Sequence, residues 1–310
     1  MKSFKMEYPL VSIITVNYDH PEVTLALLSS LRLVTYPNIE IIVVDNASPK
    51  DNPSILKNSY PEIIFIQSFV NLGFAGGNNL GIRRALGKYL LFINNDTEVE
   101  PGFLEPLVAK CESDAKIGAV SPKIKFYDQP DTIQFCGQAP INNYTMRSHG
   151  IGHGVIDKGQ FDTDSITHFV HGAAMMVPIS VIKEVGLMPE CYFLYYEELD
   201  WCARIKQAGY QLWYVHNSTI LHKESISTGK LSPFKTYYLN RSRLLYLRRN
   251  VKGVTFFVAM IYQVFVAIPK NVTVFLLKKD KGHLKAYIRV LLWHSKHLFS
   301  KEIHENPRLS

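Results

Sequence analysis

Tyr89-Leu90-Leu91-Phe92-Ile93, followed at once by Asn94-Asn95-Asp96-Thr97-Glu98, is the stretch that decides the fold. The five apolar residues form a run too short for a stable helix. They also lack the polar alternation of a strand with one wet face, so they predict a strand buried on both sides. The polar run after them begins without a transition. In sheets of such strands, ligands bind beyond the carboxyl ends, and Asp96 stands at that edge.

Upstream, the same rhythm repeats. Leu10 to Val16 reads as a first strand and Pro21 to Leu33 as a helix, with Pro21 in the first turn, where its missing N–H costs nothing. Ile39 to Val44 and Ile63 to Gln67 read as further strands, and Asn78 to Leu86 as a helix leading into the Tyr89 strand. Downstream, a helix opens at Pro101 and runs to about Ser113. This alternation predicts an α/β fold, a mostly parallel sheet with helices on both faces. From Ser121 to His168 the pattern gives way to Gly, Pro, Asn, Asp and aromatic residues, too long for a connector and readable as a binding insertion. Regularity returns at Phe169 to Val177. A helix over Glu197 to Ala208 ends at Gly209, and Gln211 to Val215 is expected as an edge strand.

With 310 residues, 47% of them hydrophobic, the chain can bury a large core. Its net charge of +7 is unevenly spread. From Lys230 onward there are 16 Lys+Arg against 3 Asp+Glu, whereas residues 1–229 carry 18 against 24. An acidic body with a basic, apolar tail points to an anionic membrane surface rather than to nucleic acid. The tail's uncharged run, Gly253 to Ile268, falls short of the roughly 20 residues a spanning helix needs, and Pro269-Lys270 is expected to interrupt it. Leu284, Ile288, Leu291, Leu292 and Leu298 recur at helical spacing, with Lys285, Arg289 and Lys296 on another face, so C-terminal amphipathic helices lying in the interface are expected. The division is drawn at residues 1–232 and 233–310, the first split into two halves near residue 120. Four scattered cysteines offer neither a zinc motif nor a disulfide framework. The short first apolar run, ending in Asn17-Tyr18-Asp19, reads as a strand and not as a leader.

Four polar elements fall in chain order. Asp45 ends the second strand, where a carboxylate can accept hydrogen bonds from a nucleobase N–H or a ribose hydroxyl. Asn71-Leu72-Gly73-Phe74-Ala75-Gly76-Gly77-Asn78-Asn79 is dense in glycine and reads as a loop opening a helix, where backbone can approach a ligand and helix N–H groups favour anions. Asp96 can hold a hard divalent cation, Mg²⁺ or Mn²⁺, against a diphosphate. Glu197-Glu198-Leu199-Asp200 opens a helix, where adjacent carboxylates gain from the dipole and a glutamate can serve as proton acceptor. Asp200 and Arg204, four apart, read as a structural ion pair, and Trp201 as core.

Together, Asp45, the Asn71 to Asn78 stretch, Asn94-Asn95-Asp96 and Glu197-Glu198-Leu199-Asp200 resemble the family-2 inverting glycosyltransferases, in particular their rhamnosyltransferase-like branch, over roughly residues 9 to 250. The resemblance implies the GT-A fold, a nucleotide-diphosphate-sugar donor and one divalent cation. It implies that Thr15, Asn17, Asp45, Asn71, Gly76, Asn78, Asn94 and Asn95 contact the nucleotide sugar, and that Asp96 and His222 hold the metal. Asn94 stands where the family often has an aspartate. The base falls on Glu198, with Glu197 as the alternative, because the family's usual aspartate is here a glutamate. His171-Gly172-Ala173-Ala174 resembles the acceptor-side segment.

The expected activity is single-displacement transfer of rhamnose or another hexose to a hydroxyl of a saccharide or lipid-linked saccharide in cell-surface polysaccharide synthesis. The expected location is cytoplasmic, at the inner membrane face. The alternative is a catalytically impaired sugar-nucleotide-binding or scaffold protein of the same fold. A nucleotidyltransferase or a dinucleotide oxidoreductase would need a glycine-rich loop after the first strand, where Asn17-Tyr18-Asp19-His20 stands instead.

Overall fold

The computed structural model describes residues 8–223 and 232–298, so Glu224 and Ser225 of the His222 segment lie outside the described residues. The strands are β1 (Val11–Asn17), β2 (Ile39–Asp45), β3 (Ile64–Gln67), β4 (Tyr89–Ile93), β5 (Thr97–Val99), β6 (Ile117–Phe126), β7 (Gln129–Phe135), β8 (Ser165–Ile166), β9 (Ala174–Pro178) and β10 (Gln211–His222). The helices are α1 (Pro21–Leu31), α2 (Ser54–Ser59), α3 (Gly73–Ile82), α4 (Leu104–Ser113), α5 (Ile179–Val185), α6 (Glu197–Gln207), α7 (Pro233–Asn250), α8 (Gly253–Tyr262), α9 (Ile268–Leu277) and α10 (Lys281–Lys296).

The strands form one sheet in the order β3-β2-β1-β4-β9-β6-β10-β5, with β7 on β6 and β8 on β10. The first four are mutually parallel, as the alternating pattern requires. Beyond β4 the sheet is mixed: β9 runs antiparallel to β4 and β6, and β10 parallel to β6. The chain reaches β9 through the long excursion after β7, not through the helical crossover that a parallel neighbour needs. Helices cover both faces. Leu27, Leu28 and Leu31 of α1 and Leu104 and Leu107 of α4 fill one core layer. Ala75 of α3, Val181 of α5 and Trp201 and Ile205 of α6 fill the other. Trp201 is fully buried, edge-on to Phe92 at 5.4 Å, and Arg204 Nε lies 3.4 Å from Asp200, as expected for core and ion pair.

Three expectations change. The glycine-dense stretch is not a loop but the body of α3, which begins at Gly73. Side chains at Gly77 and Gly81 would strike Val16 and Ile14 of β1, so glycine there sets how closely α3 seats on the sheet. Gln211 to Val215 is the start of a twelve-residue strand bordered by β6 on one side and β8 and β5 on the other, and is no edge. Pro269 does not interrupt the tail helix. A π turn over Gln263–Ala267 joins α8 to α9, so Gly253–Leu277 is continuous over 25 residues. Pro269 sits in the first turn after the π turn, where the altered ladder tolerates a residue without an N–H. By length and composition, this is a helix able to cross a membrane.

The tail also reaches the body. α7 buries Tyr238, Arg241, Ser242, Leu245 and Leu247, and α10 packs on it through Ala286, Tyr287 and Val290. In α10, Ile288 and Leu292 stay exposed, as does Leu298 just beyond its end.

Replacing a helical glycine by alanine ordinarily adds about 1 kcal/mol of stability. At Gly81 the added methyl meets Ile14, so Gly81→Ala is expected to lower stability by about 1–3 kcal/mol, the usual range for overpacking. Urea unfolding of the purified protein reads the sign.

Candidate active site

Beyond the carboxyl ends of β1, β2 and β4 lies a cleft of about 400 Å³. One wall comes from the turn after β4. In the β5–β10 ladder His222 pairs with Thr97, and the Lys223 amide donates to the Asp96 carbonyl at 2.9 Å, which brings the end of β10 beside Asp96. His222 Nε2 then lies 3.1 Å from Asp96 Oδ1 and 3.4 Å from the Asn94 amide nitrogen. On its other side, His222 Nδ1 is 2.8 Å from Gln134 Oε1. A neutral imidazole that donates from Nδ1 to Gln134 turns the lone pair of Nε2 toward Asp96. Lone pair and carboxylate at this distance repel unless a proton or a metal cation is shared between them. One carboxylate, one imidazole and a neighbouring amide are a donor set that fits a divalent cation, and the imidazole favours Mn²⁺ over the harder Mg²⁺.

The opposite wall is the loop before α6. Tyr195 and Tyr196 both adopt left-handed backbone, at φ 66° and 72°. Such backbone costs non-glycine residues about 1–2 kcal/mol each and persists only where surroundings enforce it. Here Ser242 Oγ donates to the Leu194 carbonyl at 2.9 Å, Arg241 Nη2 to the Cys191 carbonyl at 2.7 Å, and the Tyr196 hydroxyl to the Met146 carbonyl at 2.8 Å. The turn delivers Glu197 and Glu198, each with a buried carboxylate oxygen that has no hydrogen-bond partner, to the cleft. Burial pushes the Glu197 carboxyl well above its ordinary range, and the charge of Glu198 adds to it; burial raises Glu198 as well. Glu198 also lines an adjoining cavity, floored by Ile141, Met146 and Leu239. Gly172 faces it, leaving its side chain about a methyl group's clearance. His171, in the same wall, is pushed down to about 3 by burial first and then by neighbouring imidazoles, and so stays neutral.

The cleft thus brings together Asn71, Asn94, Asn95, Asp96, His222, Glu197 and Glu198. It does not include Thr15, Asn17, Asp45, Gly76 or Asn78, which are buried behind it. Strand alternation is one reason: with Thr15 and Asn17 on the covered side, Val16 and Tyr18 open to the cleft. Asn17 and Asp45 also occupy each other, with Asn17 Nδ2 donating to Asp45 Oδ1 at 2.9 Å and the Ser48 hydroxyl to the same oxygen at 2.5 Å. Asn78 donates back to the Phe74 carbonyl at 3.0 Å within α3, and Gly76 faces Leu72.

Residues that the sequence reading passed over include Asn46, whose amide bonds Asn71 Oδ1, the Gly73 carbonyl and the Leu72 N–H and so shapes the rim. Tyr18, Phe74, Phe193, Tyr195, Phe234 and Lys235 also line the cleft. Their signal was adjacency alone, since each neighbours a motif residue or opens α7. A separate trio of exposed side chains, His20, Glu22 and Asp51, holds ligand atoms within 4.8 Å of one another, outside the cleft lining.

The chain is 28% identical over 241 residues to the low-salt glycan biosynthesis hexosyltransferase Agl10 of Haloferax volcanii, covering 76% of this chain and 74% of that one. It is 23% identical over 242 residues to the N-acetylglucosaminyl-diphospho-decaprenol L-rhamnosyltransferase of Mycobacterium tuberculosis, covering 71% and 78%. Among solved structures, the mannosyltransferase PcManGT of Pyrobaculum calidifontis, in complex with GDP-Man and Mn²⁺, superposes with a TM-score of 0.58 at 15% identity, over 96% of this chain and 89% of that one. GalNAc-T7 with UDP, GalNAc and Mn²⁺ gives 0.66 at 15% identity, over 95% and 59%. These neighbours identify the sheet and its flanking helices as the GT-A fold. Residues 12–186, more than half of the chain, match the family model of glycosyl transferase family 2, and the chain belongs to that family: it is a glycosyltransferase that takes a nucleotide-sugar donor.

Proposed function

We propose that the chain is a metal-dependent, inverting hexosyltransferase that carries rhamnose or another hexose from a nucleotide diphosphate to a hydroxyl of a saccharide, free or lipid-linked, in cell-surface polysaccharide synthesis. The observation that carries this reading is the position of Glu198, which borders both the cleft holding Asp96 and His222 and the adjoining cavity. A base between two sites is what a single displacement needs. Glu198 accepts the acceptor's hydroxyl proton as its oxygen bonds to the anomeric carbon and the bond to the nucleotide diphosphate breaks, and configuration inverts. Asp96 and His222, with Asn94, would hold Mn²⁺ or Mg²⁺, which when bound stabilises charge on the departing diphosphate. Asn71 and Asn95 line the cleft toward the nucleotide, and Thr15, Asn17, Asp45, Gly76 and Asn78 support it from behind. The L-rhamnosyltransferase name of one relative and the hexosyltransferase name of another support the sugar class.

The tail supports work at the cytoplasmic face of a membrane. In Gly253–Leu277, Phe257 and Phe265 are 67% and 73% exposed. Gln263 and Asn271 turn inward instead, donating to the Tyr144 carbonyl at 2.9 Å and the Tyr287 hydroxyl at 3.0 Å. A helix with one face on protein and the other bare and apolar suits lying in the interface beside the lysines of α10. On this reading residues 1–232 form the catalytic part and 233–310 the membrane-facing part, with α7 joining them.

Glu198→Gln is expected to lower kcat/KM for transfer about 10²–10⁴-fold, the usual contribution of a general base, with donor binding retained. Asp96→Ala is expected to lose metal-dependent release of nucleotide diphosphate. Transfer assays on both variants and on Glu197→Gln check this, and loss in Glu197→Gln with activity kept in Glu198→Gln would move the base by one residue.

Glu197 has its folded pKa raised, so its contribution to stability is full below the unfolded carboxyl range and is lost as pH rises through the folded value. Glu197→Gln is therefore expected to melt at a higher temperature than the parent at neutral pH, with the gap closing on acidification. Melting curves across pH 4 to 8, a span of about four units around the carboxylate range, read it.

Phe257→Glu combined with Phe265→Glu is expected to release the protein from anionic vesicles in flotation without changing its melting temperature, since both side chains are exposed. Unchanged flotation would argue against the membrane role.

A further inference from the structure

Past the cavity beside Glu198 lies a second one, between α7, α9, α10 and the 142–147 turn, lined by Arg147, Asn240, Arg243, Lys270, Asn271 and Tyr287 among others. Arg147 and Arg243 line both cavities. The three cations have no carboxylate among the residues lining this second cavity, and among the described residues none lies within ion-pair distance of Arg147, Arg243 or Lys270. Arg243 is held in place, with Nε donating to the Tyr196 hydroxyl at 3.1 Å and Nη1 to Asn240 Oδ1 at 3.3 Å, which leaves the rest of its fork free. Cations without a carboxylate partner around a recess, with Arg243 already held in position, make an anion site, and a guanidinium pair matches phosphate oxygens.

The order of features along this face narrows the anion. Glu198 stands at one end, then a cavity carrying the polar and aromatic side chains of Gln138, Ser148 and Tyr195, then Arg147 and Arg243, then Lys270, which belongs to the same helix as the exposed Phe257 and Phe265. A sugar hydroxyl, a diphosphate and a hydrocarbon chain would meet these features in that sequence. Resting on the glycosyltransferase reading, we infer that Arg147, Arg243 and Lys270 bind the diphosphate of a lipid-linked sugar acceptor, and that the hydrocarbon leaves along α8 and α9. The anion could instead be a phospholipid headgroup; the shared cavity with Glu198 assigns it to the acceptor.

Farnesyl diphosphate serves as a soluble probe, titrated into the full-length protein in EDTA with phosphorus NMR as readout, so that no metal draws the diphosphate to Asp96. The wild type is expected to bind it and to keep it bound when excess farnesol is added, and Arg147→Ser/Lys270→Ser to bind it roughly tenfold or more weakly, about 1.4 kcal/mol or more. Lys279→Ser, outside the cavity, is expected to match the wild type. Both altered residues are exposed, and an unchanged melting curve establishes that the variant is folded. Equal binding by wild type and double variant would overturn the inference. So would a double variant that keeps the probe but no longer floats with phosphatidylcholine–phosphatidylglycerol vesicles, because the cavity would then be a headgroup site. A wild type that binds the probe but never hydrolyses a nucleotide sugar would count against the glycosyltransferase reading alone.

Discussion

The site depends on one buried carboxylate. Asp200 Oδ2 accepts from the Tyr192 hydroxyl at 3.0 Å, from Arg249 Nε at 2.9 Å and from the Asn250 amide at 3.0 Å, with Arg204 beside its other oxygen. These partners come from the loop before α6, from α6 itself and from the end of α7, so Asp200 ties three segments at one point. Breaking a buried charge pair by removing one member costs about 3–5 kcal/mol, because the other is left uncompensated. Burial opposes the charge on Arg249, but its hydrogen bond to Asp200 and the charge of that carboxylate outweigh this and hold the guanidinium more firmly protonated. The strained turn at Tyr195 and Tyr196 is therefore bounded by the Asp200 cluster on one side and by the carbonyl contacts of Arg241 and Ser242 on the other.

That anchoring explains how two adjacent glutamates can face one cleft. Each would prefer to be neutral, since burial opposes ionisation and each charge opposes the other. The amino end of α6 offsets part of this, because three acidic residues lie in its first turn, where the helix dipole favours negative charge. A carboxylate whose pKa burial raises and whose one oxygen lacks a partner is a stronger proton acceptor than a solvated one. The same loop that costs stability thus prepares the chemistry, and α7 supplies the compensation.

Much of the fold was legible because burial on both faces writes itself as apolar runs: β1, β2, β3 and β4 lie within a residue of where those runs place them. Asp96 and the glutamate pair were readable from their places at a strand end and a helix start, whereas His222 entered only through the family resemblance. What sequence could not settle was direction and partnership. Thr15, Asn17 and Asp45 occupy the right strands, but their side chains turn behind the cleft, and a hydrogen-bonded Asn–Asp pair cannot be told from a ligand pocket by residue type. The α3 glycines looked like a loop because helix propensity is low there, yet close packing on Ile14 and Val16 overrides propensity. Pro269 looked like a break because the π turn that accommodates it leaves no mark in the sequence.

Arg243 ties the C-terminal helices to the turn that carries the glutamate pair. Its Nε bonds the Tyr196 hydroxyl one residue before the glutamate pair, while its guanidinium lines the cavity shared with Lys270 of α9. Any shift of the apolar helix that moved α7 would be felt at Tyr196, whose left-handed backbone has little freedom to absorb it. Seating α8 and α9 in an interface would therefore fix α7, and with it the height of Glu198 above the membrane. Under the proposed reading, in which Glu198 is the base and the acceptor is tethered to that surface, this coupling would hold the base in register, because a base about 1 Å out of place forfeits much of its rate advantage.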